Sequence, residues 1–114
     1  MADHIEEKRD SPRLKLRTPL RYQVRGTSES GETVTDDISR GGISFIEHKF
    51  IAPAALVMLE INLLSRILRS VGRVAWASPL PRSDRYRLGI EFLELGSQEK
   101  NYLNDFIDMQ MGKL

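Results

Sequence analysis

Hydrophobic and polar residues alternate along most of this chain, and the period changes only near its end. From Thr18 onward, Leu20, Tyr22 and Val24 fall on one side while Arg21, Gln23 and Arg25 fall on the other. That two-residue period is the mark of a strand with one buried face. Ser28 to Gly31 predicts a hairpin turn and Glu32 to Asp36 the returning strand. Gly41-Gly42 predicts a tight turn or bulge ahead of a short strand, Ile43 to Ile46. Ala55 to Ile61 is apolar at both parities, so a strand covered on both faces is expected there, followed by a turn over Leu63 to Ser65. Arg66 to Ala77 alternates again, with Leu68, Val74 and Trp76 on one side. Ile67, Val71, Ala75 and Ala77 share the other side with Arg69 and Arg73. After the turn-rich loop Pro79 to Asp84, Tyr86, Leu88, Ile90 and Phe92 are expected to face inward.

The last segment switches to helical spacing, with Tyr102, Leu103, Phe106, Ile107 and Gln110 along one stripe. Ser97 is a suitable N-cap and Gly112 a suitable residue just past the C-cap. Short strands joined by turns and closed by one helix predict an all-β domain with one helix, an antiparallel β-barrel on which that helix packs. Residues 1–12 are polar and end in a proline, so they are expected to form a flexible N-terminal arm; residues 13–114 are expected to form the barrel and its C-terminal helix.

Composition narrows the function. The chain has 114 residues, 40% hydrophobic and 29% charged, which suits a single soluble domain. It has no cysteine, which excludes disulfides and thiolate metal sites. His4 and His48 stand apart from ligand-spaced partners, so no metal is expected. No stretch approaches the ~20 apolar residues of a membrane span, and residues 1–7 lack the apolar core of a signal peptide. A cytoplasmic location without a membrane span is expected.

The net charge of +1 hides an uneven distribution. Basic residues crowd Lys8 to Arg25 and Arg66 to Arg87, while Glu29, Glu32, Asp36 and Asp37 form an acidic run. Arginine clusters in a nearly neutral chain point to a localised anion site, since a general polyanion binder carries a large positive excess. With aromatics at only 7%, a nucleic-acid-binding barrel that stacks bases on surface rings is disfavoured, and no nucleic acid partner is expected. Paired catalytic carboxylates, Ser-His pairs and phosphate-cradling P-loops are missing from the sequence, so no enzyme is expected.

Two short patterns carry the chemistry. Arg9-Asp10-Ser11-Pro12-Arg13 spaces two arginines as R-x-x-x-R just ahead of the first strand, and Asp37-Ile38-Ser39-Arg40-Gly41-Gly42 reads D-x-S-x-x-G. Taken alone, Asp37 and Ser39 also fit a turn that bonds its own backbone, and Gly41-Gly42 also fits a simple bulge. In this order, and followed by Gly72-Arg73-Val74-Ala75-Trp76 and Tyr86-Arg87-Leu88-Gly89-Ile90-Glu91-Phe92, they resemble the signature of the PilZ domain family. The resemblance runs from about Lys8 to Phe106. It implies a six-stranded antiparallel β-barrel with a C-terminal α-helix, and binding of cyclic di-GMP, a ring of two guanines and two phosphodiesters.

By that resemblance Arg9, Arg13, Asp37, Ser39 and Gly42 form the binding site. Lys8, Arg40, Gly41 and Trp76 are candidates for further contacts, and Trp76 fits a place beside the base or a packing role on the barrel exterior. Lys8 stands where the family often has another arginine, which leaves one bound ring or a stacked pair open. The chemistry is consistent. Arginine pairs with phosphate, meets the O6/N7 edge of guanine bidentately and stacks on bases. A carboxylate suits the guanine N–H donors, and a residue without Cβ admits a flat base close to the backbone. The implied activity is that of a receptor with no further cofactor, which signals to an unidentified protein effector by ordering its N-terminal arm. A ligand-independent protein-interaction adaptor of the same fold is the alternative.

Overall fold

The computed structural model describes residues 12–64 and 66–112. Among the described residues there are seven strands: β1 (Leu14–Lys15), β2 (Pro19–Val24), β3 (Ser30–Ser39), β4 (Gly42–Glu47), β5 (Leu56–Leu63), β6 (Arg66–Pro79) and β7 (Tyr86–Glu94). They are followed by one helix, α1 (Ser97–Gln110). All strand pairings are antiparallel, in the order β1-β3-β2-β5-β6-β7-β4, and a further β3–β4 pairing closes the ring. Six strands, β2 to β7, therefore form the closed barrel with a C-terminal helix that the sequence implies, and closure leaves no long unpaired edge. The two-residue β1 lies alongside the far end of β3.

Closure depends on two long, bent strands. β3 pairs with β2 through its first half and with β4 through its second, with a register shift between Thr35 and Asp37. β6 passes from β5 to β7 in the same way, with shifts at Val71/Gly72 and Val74/Trp76. A bulge adds twist and bend where a strand must leave one partner and join another.

The core follows from the alternation. Leu20, Tyr22 and Val24 of β2 and Val57, Leu59, Ile61 and Leu63 of β5 are buried, as are Ile43 and Phe45 of β4 and Leu88 and Ile90 of β7. Tyr22 stacks on Phe45 at 5.4 Å between centroids, and its hydroxyl donates to Glu47 at 2.9 Å. The antiparallel order puts the β3–β4 and β5–β6 turns at the same end of the barrel, and α1 covers it. Leu103, Phe106 and Ile107 are the helix residues buried there. The Tyr102 hydroxyl donates to the Leu63 carbonyl at 2.9 Å, and Arg40 in the β3–β4 turn pairs with Asp108.

Some expectations need correction. β5 is buried on one face only, because Met58 on the other is 45% exposed. Trp76 does not share the side of Leu68 and Val74. The bulge at Val74/Trp76 reverses the phase, leaving Trp76 outside and turning Ala77 toward the core. The first hairpin turn lies slightly earlier than expected, with Gly26 at φ +82° and β3 already under way at Ser30. The N-cap of α1 is Gly96, with Ser97 its first residue and no side-chain cap bond. Gly112 does take the left-handed conformation, φ +74°, just past the C-cap Met111.

Candidate functional site

β1 exists because Leu14 and Lys15 pair with Ile38 and Asp37 at the end of β3. That short pairing brings Arg13, the residue before it, beside the D-x-S segment. The Arg13 guanidinium donates to Asp37 Oδ1 at 2.8 Å and to Ser39 Oγ at 3.2 Å, so one planar fork joins both motif side chains. Ser39 Oγ also accepts the Gly41 N–H at 3.2 Å and donates to the Gly42 carbonyl at 3.4 Å, which stabilises the turn around Arg40. From β4, Ser44 donates to the same Asp37 Oδ1 at 2.8 Å. Burial by itself would raise the Asp37 pKa. The hydrogen bonds from Arg13 and Ser44 and the charges of Arg13 and Lys15 outweigh it, and the carboxyl ionises below the ordinary aspartate range.

Two glycines of the motif differ in surroundings. A Cβ at Gly42 would stand 2.0 Å from the Ile90 carbonyl oxygen, so glycine is required there for β4 to approach β7. A Cβ at Gly41 would meet nothing within 4 Å, so the space beside that residue is open.

Strand register extends the site across the barrel exterior. Asp37 pairs with Ser44, Ser44 with Gly89, and Gly89 with Trp76, a line across four strands. A Cβ at Gly89 would come within 2.3–2.6 Å of three atoms of the Trp76 indole, so the ring lies over that glycine and remains 44% exposed. Charged pairs flank the line. Arg73 donates to Glu91 at 2.8 Å on one side; on the other Asp36 accepts Arg87 and lies 3.7 Å from Lys15. Lys15, Asp36, Ser44 and Arg87 were missed by the sequence reading. Ser44 alone left a signal, a hydroxyl in the apolar run Ile43 to Ile46. Arg13, Asp37, Ser39, Gly41 and Gly42 lie together around the β3–β4 turn. Trp76 shares their face, Arg40 is turned to the helix, and Lys8 and Arg9 lie outside the described residues. Among the described residues no group of His, Asp and Glu is arranged to hold a metal, and no helix is long and apolar enough to cross a membrane.

Residues 7–109 match the PilZ domain. The chain belongs to the PilZ family. Its barrel is similar to parts of three solved structures. The inhibitor of motility MotI/DgrA from Bacillus subtilis aligns at TM-score 0.75 and 20% identity, over 91% of this chain and 52% of that one. YcgR from Escherichia coli, solved in complex with c-di-GMP, aligns at TM-score 0.76 and 14% identity, over 93% and 47%. PlzA from Borreliella burgdorferi, also with c-di-GMP, aligns at TM-score 0.60 and 15% identity, over 98% and 56%. This PilZ chain thus spans about half the length of each of these proteins. Comparison with curated protein sequences gives no match.

Proposed function

We propose that this PilZ domain is a cyclic di-GMP receptor without catalytic activity, and that its ligand lies along the face running from Arg13 to Trp76. The observation that carries the proposal is the single Arg13 fork on Asp37 and Ser39. It places a phosphate- and base-binding cation beside an ionised acceptor for guanine N–H donors. The c-di-GMP complexes of YcgR and PlzA support the choice of ligand. Asp37 and Ser39 receive one guanine and Arg13 its phosphate or base edge. Gly41 leaves the backbone open beside them, and Gly42 holds the turn against β7. Trp76 offers the outer face of its indole at the other end of the line. Arg9 and Lys8, from the N-terminal arm, complete the grip, and ordering of that arm presents a changed surface to a protein effector.

Isothermal titration tests this reading. Wild-type protein is expected to bind cyclic di-GMP saturably, with GMP far weaker. Asp37→Ala and Arg13→Ala each lose roughly tenfold or more in affinity, since a hydrogen bond to a charged group contributes about 1.5–3 kcal/mol. Absence of binding by the folded wild type at low salt, or unchanged affinity in both variants, overturns it.

A further inference from the structure

The barrel face turned away from Arg13 and Trp76 carries a pattern that the ligand site does not use. On the outer surface of β3, β2, β5 and β6, the register sets Glu32 beside Arg21, Arg21 beside Glu60, and Glu60 beside Arg69. The order across the four strands is minus, plus, minus, plus. Adjacent members are paired at 3.3 Å for Arg21–Glu32 and 3.3 Å for Arg69–Glu60. Such a ladder is stable in cis. It also has a second property: reversed, it becomes its own complement.

We infer that this face binds a second copy of the chain, around a two-fold axis running roughly along the strands between β2 and β5. That rotation lays β3 of one copy over β6 of the other and keeps each row at the same height. Glu32 then meets Arg69 of the other copy, and Arg21 meets its Glu60, so all four positions face an opposite charge. The neighbouring rows match as well. In the row holding Val34 and Ile67, which are 37% and 45% exposed, the same operation brings Val34 of one copy onto Ile67 of the other. In the row on the other side, Met58, 45% exposed, meets Gln23. A groove of about 710 Å³ runs over this face between Glu32 and Val71. The long side chains of Arg21 and Arg69, 69% and 65% exposed, keep their pairs with Glu32 and Glu60 and still offer most of their surface to the opposite copy. The two-fold arrangement makes one patch serve both partners. Twisted sheets stack face to face with their strands nearly aligned, which this axis allows. Three rows of four residues form a small interface, so the association is weak and concentration-dependent. It leaves both Arg13–Trp76 faces pointing outward.

Sedimentation velocity and equilibrium over a concentration series, with circular dichroism as a check of folding, test the inference. The wild type is expected to pass from monomer to dimer as concentration rises, and added salt is expected to weaken the dimer. Arg21→Glu and Glu60→Arg each place like charges across the axis, and each raises the dissociation constant roughly tenfold or more. An equimolar mixture of the two variants is expected to dimerise again, because a mixed pair restores an opposite charge at all four positions. Ile67→Lys, which leaves the ladder intact, weakens the dimer independently should either ladder variant fail to fold. A wild type that stays monomeric to submillimolar concentration overturns the inference. So does a mixture no more associated than its components, or an undiminished dimer in folded variants.

Discussion

Gly42 and Ile90 approach so closely across β4 and β7 that a methyl group on the glycine would lie 2.0 Å from the Ile90 carbonyl oxygen and 3.0 Å from its carbon. The obstacle is backbone in the middle of a closed sheet, which has nowhere to move. Gly42→Ala is therefore expected to destabilise the fold by about 3 kcal/mol, at the upper end of what overpacking costs. Gly41→Ala, one residue earlier and in open space, is expected to leave the melting temperature nearly unchanged. Thermal denaturation of the two variants side by side checks the contrast.

Ser44 and Arg13 share one oxygen of Asp37, which fixes the carboxylate from two directions. Ser44→Ala removes one of them and lets the side chain rotate. Cyclic di-GMP affinity is expected to drop several-fold, up to about tenfold for a hydrogen bond to a charged group, with little change in melting temperature. Ser44→Thr, which keeps the hydroxyl, is expected to restore most of it in the same titration.

The depressed Asp37 pKa has a definite sign in stability. A carboxyl that holds its proton less tightly when folded contributes stability above the unfolded aspartate value of about 3.9, and loses it as pH falls through the folded value. The stability difference between wild type and Asp37→Asn is thus expected to be constant from neutral pH down to mild acid and to shrink below that value. Melting curves of both proteins across the acid range provide the check. Ligand affinity is expected to follow the same limb, because the ionised form is the acceptor.

Trp76 reports on the site optically. The chain has one tryptophan, and its indole covers Gly89. Gly89→Ala puts a methyl group under the ring and is expected to lift it into water, shifting its emission to the red. Cyclic di-GMP is expected to quench that emission in the wild type, and to quench it less in the variant.

The fold was legible where a strand keeps one face in the core along its whole length, as Leu20, Tyr22 and Val24 do in β2 and Leu88 and Ile90 do in β7. It was hidden where a bulge changes parity. Nothing in the residues around Val74 announces that the ladder slips before Trp76, because the slip is set by the partner β7. Met58 misled for a different reason: a large apolar residue on a solvent-facing row reads as buried when hydrophobicity is the only guide. Asp37 and Ser39 were legible together because they lie two residues apart, whereas Arg13, 24 residues before Asp37, was legible only through the ordered pair of motifs. Asp36–Arg87 joins residues 51 apart, and Arg40–Asp108 residues 68 apart, so only the closed barrel brings those partners together.

On the proposed function, the fork from Arg13 to Asp37 acts as a coincidence detector. An anion that draws the guanidinium away strips the carboxylate of a partner, and must itself return N–H groups to that oxygen. Inorganic phosphate has none to give, and a bare base has no charge to pull with. A molecule presenting both, at the right separation, leaves every group matched when it settles, so simple anions are expected to bind this site more weakly than cyclic di-GMP.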